Sequence, residues 1–256
     1  MKNEITKFLE ETKLGKVVDS LESDVIITEK NNQFNVYTTN GFSAIEENVK
    51  IDNLKFLKKT LSTYAHGSYM KKLNFNNKKY EFTFRALPVK LNILTEENEI
   101  GKPEDIMRNN VLSIVPGKDK LVFEVTNHSE KDLYFTIIEV NSKGEINSIF
   151  PSDRFEMNNQ ERLIEKGKTV LFSDKIMNYG PPYEKLVMKC IASPYPINIA
   201  STIKNRGFVG ERGALNPLAS FVNNTFLNSR GQGDVIVVSD KVDGYTSEII
   251  YEIVKE

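Results

Sequence analysis

The chain has 256 residues, 39% of them hydrophobic, and its 34 lysines and arginines nearly balance 35 aspartates and glutamates, for a formal net charge of -1. That length can bury one large β domain or two ordinary ones without staples. The single cysteine excludes an intrachain disulfide and, with two histidines, a four-ligand Cys/His zinc site. The balanced charge gives neither a phosphate backbone nor an anionic membrane a reason to approach, so no nucleic-acid partner and no membrane partner is expected. No motif calls for a cofactor, and none is expected.

In chain order, "MKNEITKFLEETKLGK" sets Ile5, Phe8 and Leu9 at helical spacing among alternating charges. It has neither the apolar run of a signal peptide nor a stretch near ~18 apolar residues, and with one free thiol a reducing, cytoplasmic setting is expected. "SDVIITE" and "QFNVYTT", joined by "KNNQ", read as two strands. They can cover a helix whose apolar face is Leu54, Leu57, Leu61 and Tyr64 and whose cap is Asp52. These elements make a small α/β lobe over residues 1–75.

From "KKYEFTFRALPVKLNIL" onward, short β-branched and aromatic runs return between polar or Gly/Pro turns, the pattern of an antiparallel sandwich. The predicted strands are "YEFTFRAL", "DKLVFEVTN", "DLYFTIIEV", "EINSIF", "KTVLF", "YEKLVMKCIAS", "DVIVVS" and "YTSEIIYEIV". In "DKLVFEVTN", Leu121, Phe123 and Val125 share one dry face. "DLYFTIIEV" is apolar on both faces and belongs in the middle of a sheet, with Gly144 the positive-φ residue of the turn that follows. "LTEENEIGKPEDIMRNN", 94–110, lacks periodicity and is expected to be a long loop. In "ALNPLASFVNNTFLNSRG", Asn216 can cap and Pro217 can open a helix bearing Leu218, Val222 and Phe226, which Gly231 follows. The expected fold class is therefore mainly β with an α+β organisation: the lobe at 1–75, then an Ig-like or similar antiparallel β-sandwich over 76–256 with a helix inserted near its C-terminal end.

Few residues suggest chemistry. Cys190 is the obvious nucleophile, yet Leu186, Met188 and Ala192 share its strand face, which makes it a small core hydrophobe. His66 and His128 sit at the ends of elements, and either would need a nucleophile within hydrogen-bond reach to act as a general base. "NRGFVGERG" has the glycines of an anion-binding loop without the spacing of a phosphate-cradling one. Arg206, Arg212 and Arg230 flank it and are candidate contacts for an anionic ligand or peptide partner. The acidic run from Glu96 to Asp105 lacks the ladder of a calcium loop. No catalytic, cofactor-binding or metal-binding residue is assigned.

The second region resembles a bacterial domain of unknown function, DUF4384. The resemblance covers 118–254 and rests on the order of short motifs: Thr126-Asn127, Leu133-Tyr134, Asn141 with Gly144, Ile149 to Pro151, Gly167, and Ala192 to Pro196. Many members carry a tryptophan before the final strands, where this chain has "GDVIVV". Domains of this family often follow a caspase-like cysteine peptidase in one polypeptide. The resemblance thus implies a non-catalytic accessory, binding or regulatory region, with a caspase-like peptidase domain as its partner in cis or in trans. The dipeptide His66-Gly67 has no Cys-Gly downstream to complete a peptidase pair. Two other readings stand beside this one: part of a cysteine peptidase whose catalytic domain lies outside the chain, or a carbohydrate- or surface-binding sandwich.

Overall fold

The structure, a computed structural model, describes residues 2–12, 14–18, 23–30, 33–38, 49–50, 53–91, 98–197, 238–239 and 243–256. It falls into two compact units; Met1–Leu73 and Val140–Ile146 belong to the first, and Asn74–Glu139 and the strands from Asn147 onward to the second.

The first unit carries helix α1 (Lys2–Thr12), strands β1 (Val25–Lys30), β2 (Gln33–Thr38) and β3 (Val49–Lys50), and helix α2 (Leu54–Lys72). The strands form a three-stranded antiparallel sheet in the order β1-β2-β3. Alternation along β2 buries Phe34, Val36 and Thr38 and turns Tyr37 outward. Leu57 and Leu61 of α2 and Ile5 of α1 pack with Phe34 and Val36 in one small apolar cluster. The cap of α2 is Asn53, whose Oδ1 accepts from the Phe56 N–H at 3.3 Å, and Asp52 lies outside the described residues.

Helix α2 continues past Tyr64, so His66 and Gly67 lie inside it. The Gly67 position explains why a helix tolerates that residue: a Cβ there would sit 2.3 Å from the Gly144 Cα, and a Cβ on Gly144 would sit 2.5 Å from the Tyr64 Cα. Two bare backbones meet there, and Gly144, at φ +79°, adopts the conformation its turn demands. Asn141 builds that turn, its Oδ1 accepting from the N–H groups of Lys143 at 3.0 Å and Glu145 at 2.9 Å. The Lys71 Nζ donates to the Asn141 carbonyl at 3.0 Å.

The second unit is mainly β. Its strands are β4 (Asn74–Phe75), β5 (Phe82–Leu91), β6 (Asn98–Ile100), β7 (Met107–Arg108), β8 (Val111–Ile114), β9 (Lys120–Asn127), β10 (Leu133–Val140) and β11 (Ile146–Phe150). There follow β12 (Leu163–Ile164), β13 (Thr169–Leu171), β14 (Met177–Asn178), β15 (Lys185–Ser193), β16 (Val238–Ser239) and β17 (Tyr245–Ile253). One sheet of seven strands runs β11-β10-β15-β17-β8-β7 with β12 on β10; the other, of five, runs β13-β9-β5-β6 with β14 on β9. The β15–β17 and β5–β9 pairs are antiparallel, whereas β17 and β8 are parallel. The layers enclose one apolar core, which makes the unit a β-sandwich.

Phe150 is the hub of that core. Its ring lies 5.6 Å from Phe123, 6.4 Å from Phe135, 5.4 Å from Phe155 and 5.5 Å from Phe172, with each pair edge-to-face. Strand β10 is interior to its sheet and buried on both faces, because every side chain but Tyr134 and Glu139 is removed from solvent. Strand β9 is drier than its alternation suggests, for Val122, on the far side from Phe123, is buried with Leu87 and Val89 in a second small cluster. The expected inserted helix at 216–231 lies outside the described residues, and of "DVIVVS" only Val238–Ser239 is described.

The expected loop at 94–110 is structured from residue 98. Strand β6 pairs with β5, a short 3-10 turn spans Pro103–Ile106, and β7 pairs with β8. Polar side chains hold it: Asp105 Oδ2 accepts from the Lys102 N–H and from Lys90 Nζ, each at 3.1 Å. Such edge structure needs no hydrophobic period, which is why none is visible in the sequence. Among the described residues no helix is long and apolar enough to cross a membrane.

Candidate functional site

Strand β15 places Leu186, Met188, Cys190 and Ala192 on the core side of the seven-stranded sheet. Cys190 is fully buried there, and burial pushes its thiol well above the ordinary value, so the thiolate that a nucleophile requires is suppressed. Of the two histidines, His66 lies in α2, in the other unit, and His128 follows β9 on the opposite sheet.

His128 does meet a hydroxyl. Its Nε2 lies 2.6 Å from the Thr83 Oγ1 on the exposed face of the five-stranded sheet. Beside this pair, Thr126 Oγ1 lies 2.9 Å from Thr169 Oγ1, so three cross-strand threonines and one imidazole form a polar row. A catalytic hydroxyl–imidazole pair needs a third group to hold the ring's other nitrogen and a site that excludes water. Among the described residues none holds His128 Nδ1, and the row faces solvent.

The strongest titratable constellation lies at one end of the core. Glu139 continues the inward alternation of Leu133, Phe135 and Ile137, so β10 delivers a carboxyl where an aliphatic residue would fit. Tyr251 of β17 donates a short hydrogen bond to Glu139 Oε2. The Tyr179 ring stands edge-on to Tyr251 at 5.6 Å, and among the described residues its buried Oη has no hydrogen-bond partner of good geometry. Burial raises the Glu139 carboxyl above the usual carboxylate range; hydrogen bonds from Tyr251 and Asn147 pull it back in part, and the nearby Glu184 charge pushes it further up. Burial also pushes both phenols well above their ordinary values. This set can hold a proton on Glu139 and keep both tyrosines neutral. It contains no activated nucleophile.

Strand β15 also turns a cation outward. Lys189 is 1% exposed and pairs at 3.3 Å with Glu248, its cross-strand partner on β17. Burial pulls the ammonium below its ordinary value, and Glu248 restores part of the shift. The alternation that put Cys190 inside implied that Lys189 faced away, but the cover on that outer face was not visible in the sequence.

Several residues of the resemblance have structural tasks. Asn127 is buried; its Nδ2 donates to the carbonyls of Lys131 at 2.8 Å and Ile164 at 2.9 Å, and its Oδ1 accepts from the Ser129 N–H at 2.9 Å. It ties the β9–β10 connection to β12. Phe150 is the core hub, and Gly144 and Gly167 take positive φ. Arg206, Arg212 and Arg230 lie outside the described residues. Among the described residues no three His, Cys, Asp or Glu side chains gather as a metal site would require.

The Glu139 cluster escaped the sequence reading, although one signal was present: an acidic residue on the inward beat of "LYFTIIEV". Tyr251, more than a hundred positions away, carried no such mark. In comparison with known proteins, no family model matches the chain and no curated protein matches it.

Proposed function

We propose that this chain is a binding and regulatory region rather than a catalyst. In this reading its β-sandwich is of the DUF4384 kind and serves a bacterial, cytoplasmic caspase-like protein as an accessory domain, with the peptidase domain as its partner in cis or in trans. The observation that carries the non-catalytic part is the state of the chain's one thiol: Cys190 is sealed among Leu186, Met188 and Ala192, and its proton is held by burial. The motif order from Thr126 to Pro196 carries the partner.

Two measurements test this reading. An electrophilic thiol probe should leave the native chain unlabelled over the time in which the denatured chain labels stoichiometrically; rapid native labelling of Cys190 would revive a cysteine enzyme. Mixing the chain with a caspase-like peptidase domain encoded beside it should give a complex or a changed peptidase rate. Neither effect, at protein concentrations well above micromolar, sinks the partner assignment.

A further inference from the structure

The two sheets of the sandwich are joined by a crossover that runs over the Glu139 cluster. Strand β14 ends at Asn178 on the five-stranded sheet and β15 begins at Lys185 on the seven-stranded one, so residues 179–184 pass from layer to layer. Both ends of the crossover reach inward: Tyr179 packs against the inner apolar cluster, and Glu184 is 6% exposed. Between them Gly180, Pro181, Pro182 and Tyr183 are exposed. The two prolines have no backbone N–H, so this segment can be tied down by fewer hydrogen bonds than the strands on either side.

Glu139 is where these ends converge. Tyr251 of β17 donates to its Oε2, and Asn147 of β11 also hydrogen-bonds the carboxyl. The Glu184 charge acts on it from the last residue of the crossover, and its own charge acts on Tyr179, the first. Among the described residues these are the groups that face Glu139; Arg154 acts on Tyr179. With a proton, Glu139 is a neutral hydrogen-bonding group that packs. Without it, two like charges share a poorly hydrated space, where they repel and call for water. Strand β17 is held by eight rungs to β15, and β10 is interior to its sheet, so neither can yield without breaking a ladder. The crossover can.

We propose that residues 179–184 are a proton-operated flap: a proton on Glu139 holds the crossover against the core, and loss of that proton lifts it and admits water. Burial raises the Glu139 carboxyl above the usual carboxylate range, and Glu184 adds to the rise. The flap is therefore closed below the raised value and lifted above it, at higher pH than a surface glutamate would set. Lifting moves Pro181, Pro182 and the 45% exposed Tyr183, and so changes the surface that this part of the sandwich offers to a partner. The device lies within one unit and does not depend on the peptidase partnership; either can fail alone.

Solvent access to the Tyr179 ring reads the flap. The whole chain is followed by NMR from mildly acidic to mildly alkaline pH with a neutral paramagnetic chelate in the solvent. Relaxation enhancement of the Tyr179 ring protons should rise several-fold as pH passes the Glu139 transition, while that of the Phe150 ring stays low. Glu139→Gln should hold Tyr179 at its low value throughout. Glu184→Gln removes the like charge and should move the transition to lower pH; Tyr251→Phe removes a donor to the carboxylate and should move it to higher pH. Should Glu139→Gln fail to fold, these opposite displacements decide the matter. A Tyr179 ring that ignores pH, the same rise in Glu139→Gln, or an unmoved transition in both other variants would overturn the flap. So would a parallel rise at Phe150, which would mean that the whole unit loosens.

Discussion

Lys189 and Cys190 are consecutive in the chain and both buried, yet they belong to different chemistries. Cys190 faces the inter-sheet core, where the ring cluster around Phe150 fills the space and a thiol behaves as a small hydrophobe. Lys189 faces the other side of the same sheet, in a layer that also holds the buried Thr136 and receives Arg162. The inner layer admits a polar intrusion at its end, Glu139 with its tyrosines. The outer layer buries whole cations. A sheet buried on both faces can therefore reserve one for packing and the other for charge, where a buried ion needs a partner such as Glu248.

The sharpest break of this contrast is Phe150→Ala, which should cost about 3–5 kcal/mol in urea unfolding because it removes the hub of the inner layer. A loss below about 1 kcal/mol would show that the ring cluster is not the core. On the outer face, Glu248→Ala should cost about 1–2 kcal/mol, less than for a wholly buried pair because the Glu248 side chain is 50% exposed. Lys189→Met should be neutral or stabilising by about 1 kcal/mol, since an apolar side chain sheds the desolvation of the ion. If Lys189→Met were instead as damaging as Glu248→Ala, the cation would be needed for more than its pair.

Cys190→Ala should cost about 1 kcal/mol of stability, as a small cavity in the inner layer. It should leave any binding to the peptidase domain unchanged. The smallest effect is a slope. Glu139 has a folded-state value raised above its unfolded one, so the folded chain holds that proton more tightly. Its favourable contribution is complete at pH below the ordinary carboxylate range and is lost as pH rises through the raised value. Glu139→Gln cannot ionise and should show a flatter decline of stability over that window. Parallel pH profiles for the two proteins would place the Glu139 carboxyl at its usual value.

Much of the sandwich was legible because alternation survives in single strands. "DKLVFEVTN" and "DLYFTIIEV" announce their dry faces, and "DLYFTIIEV" announces its central place, since only an interior strand is apolar on both sides. Strand β8 was missed: "VLSI" is four residues long and is fixed by parallel pairing with β17, a contact across 139 positions between Ser113 and Glu252. The end of α2 was set too early, because Gly67 breaks helices in isolation but is required where the Gly144 backbone approaches.

By itself the sequence determined the β-rich class, the inward face of each long strand, the turn glycine and the neutrality of Cys190, because each follows from the order of neighbouring residues. Which charges became buried was decided only by the tertiary structure. Glu139 meets Tyr251, and Arg162 meets Thr136 and Ile197, through strands brought together from distant parts of the chain. Burial is a property of what lies above a residue in space, and no local period records it.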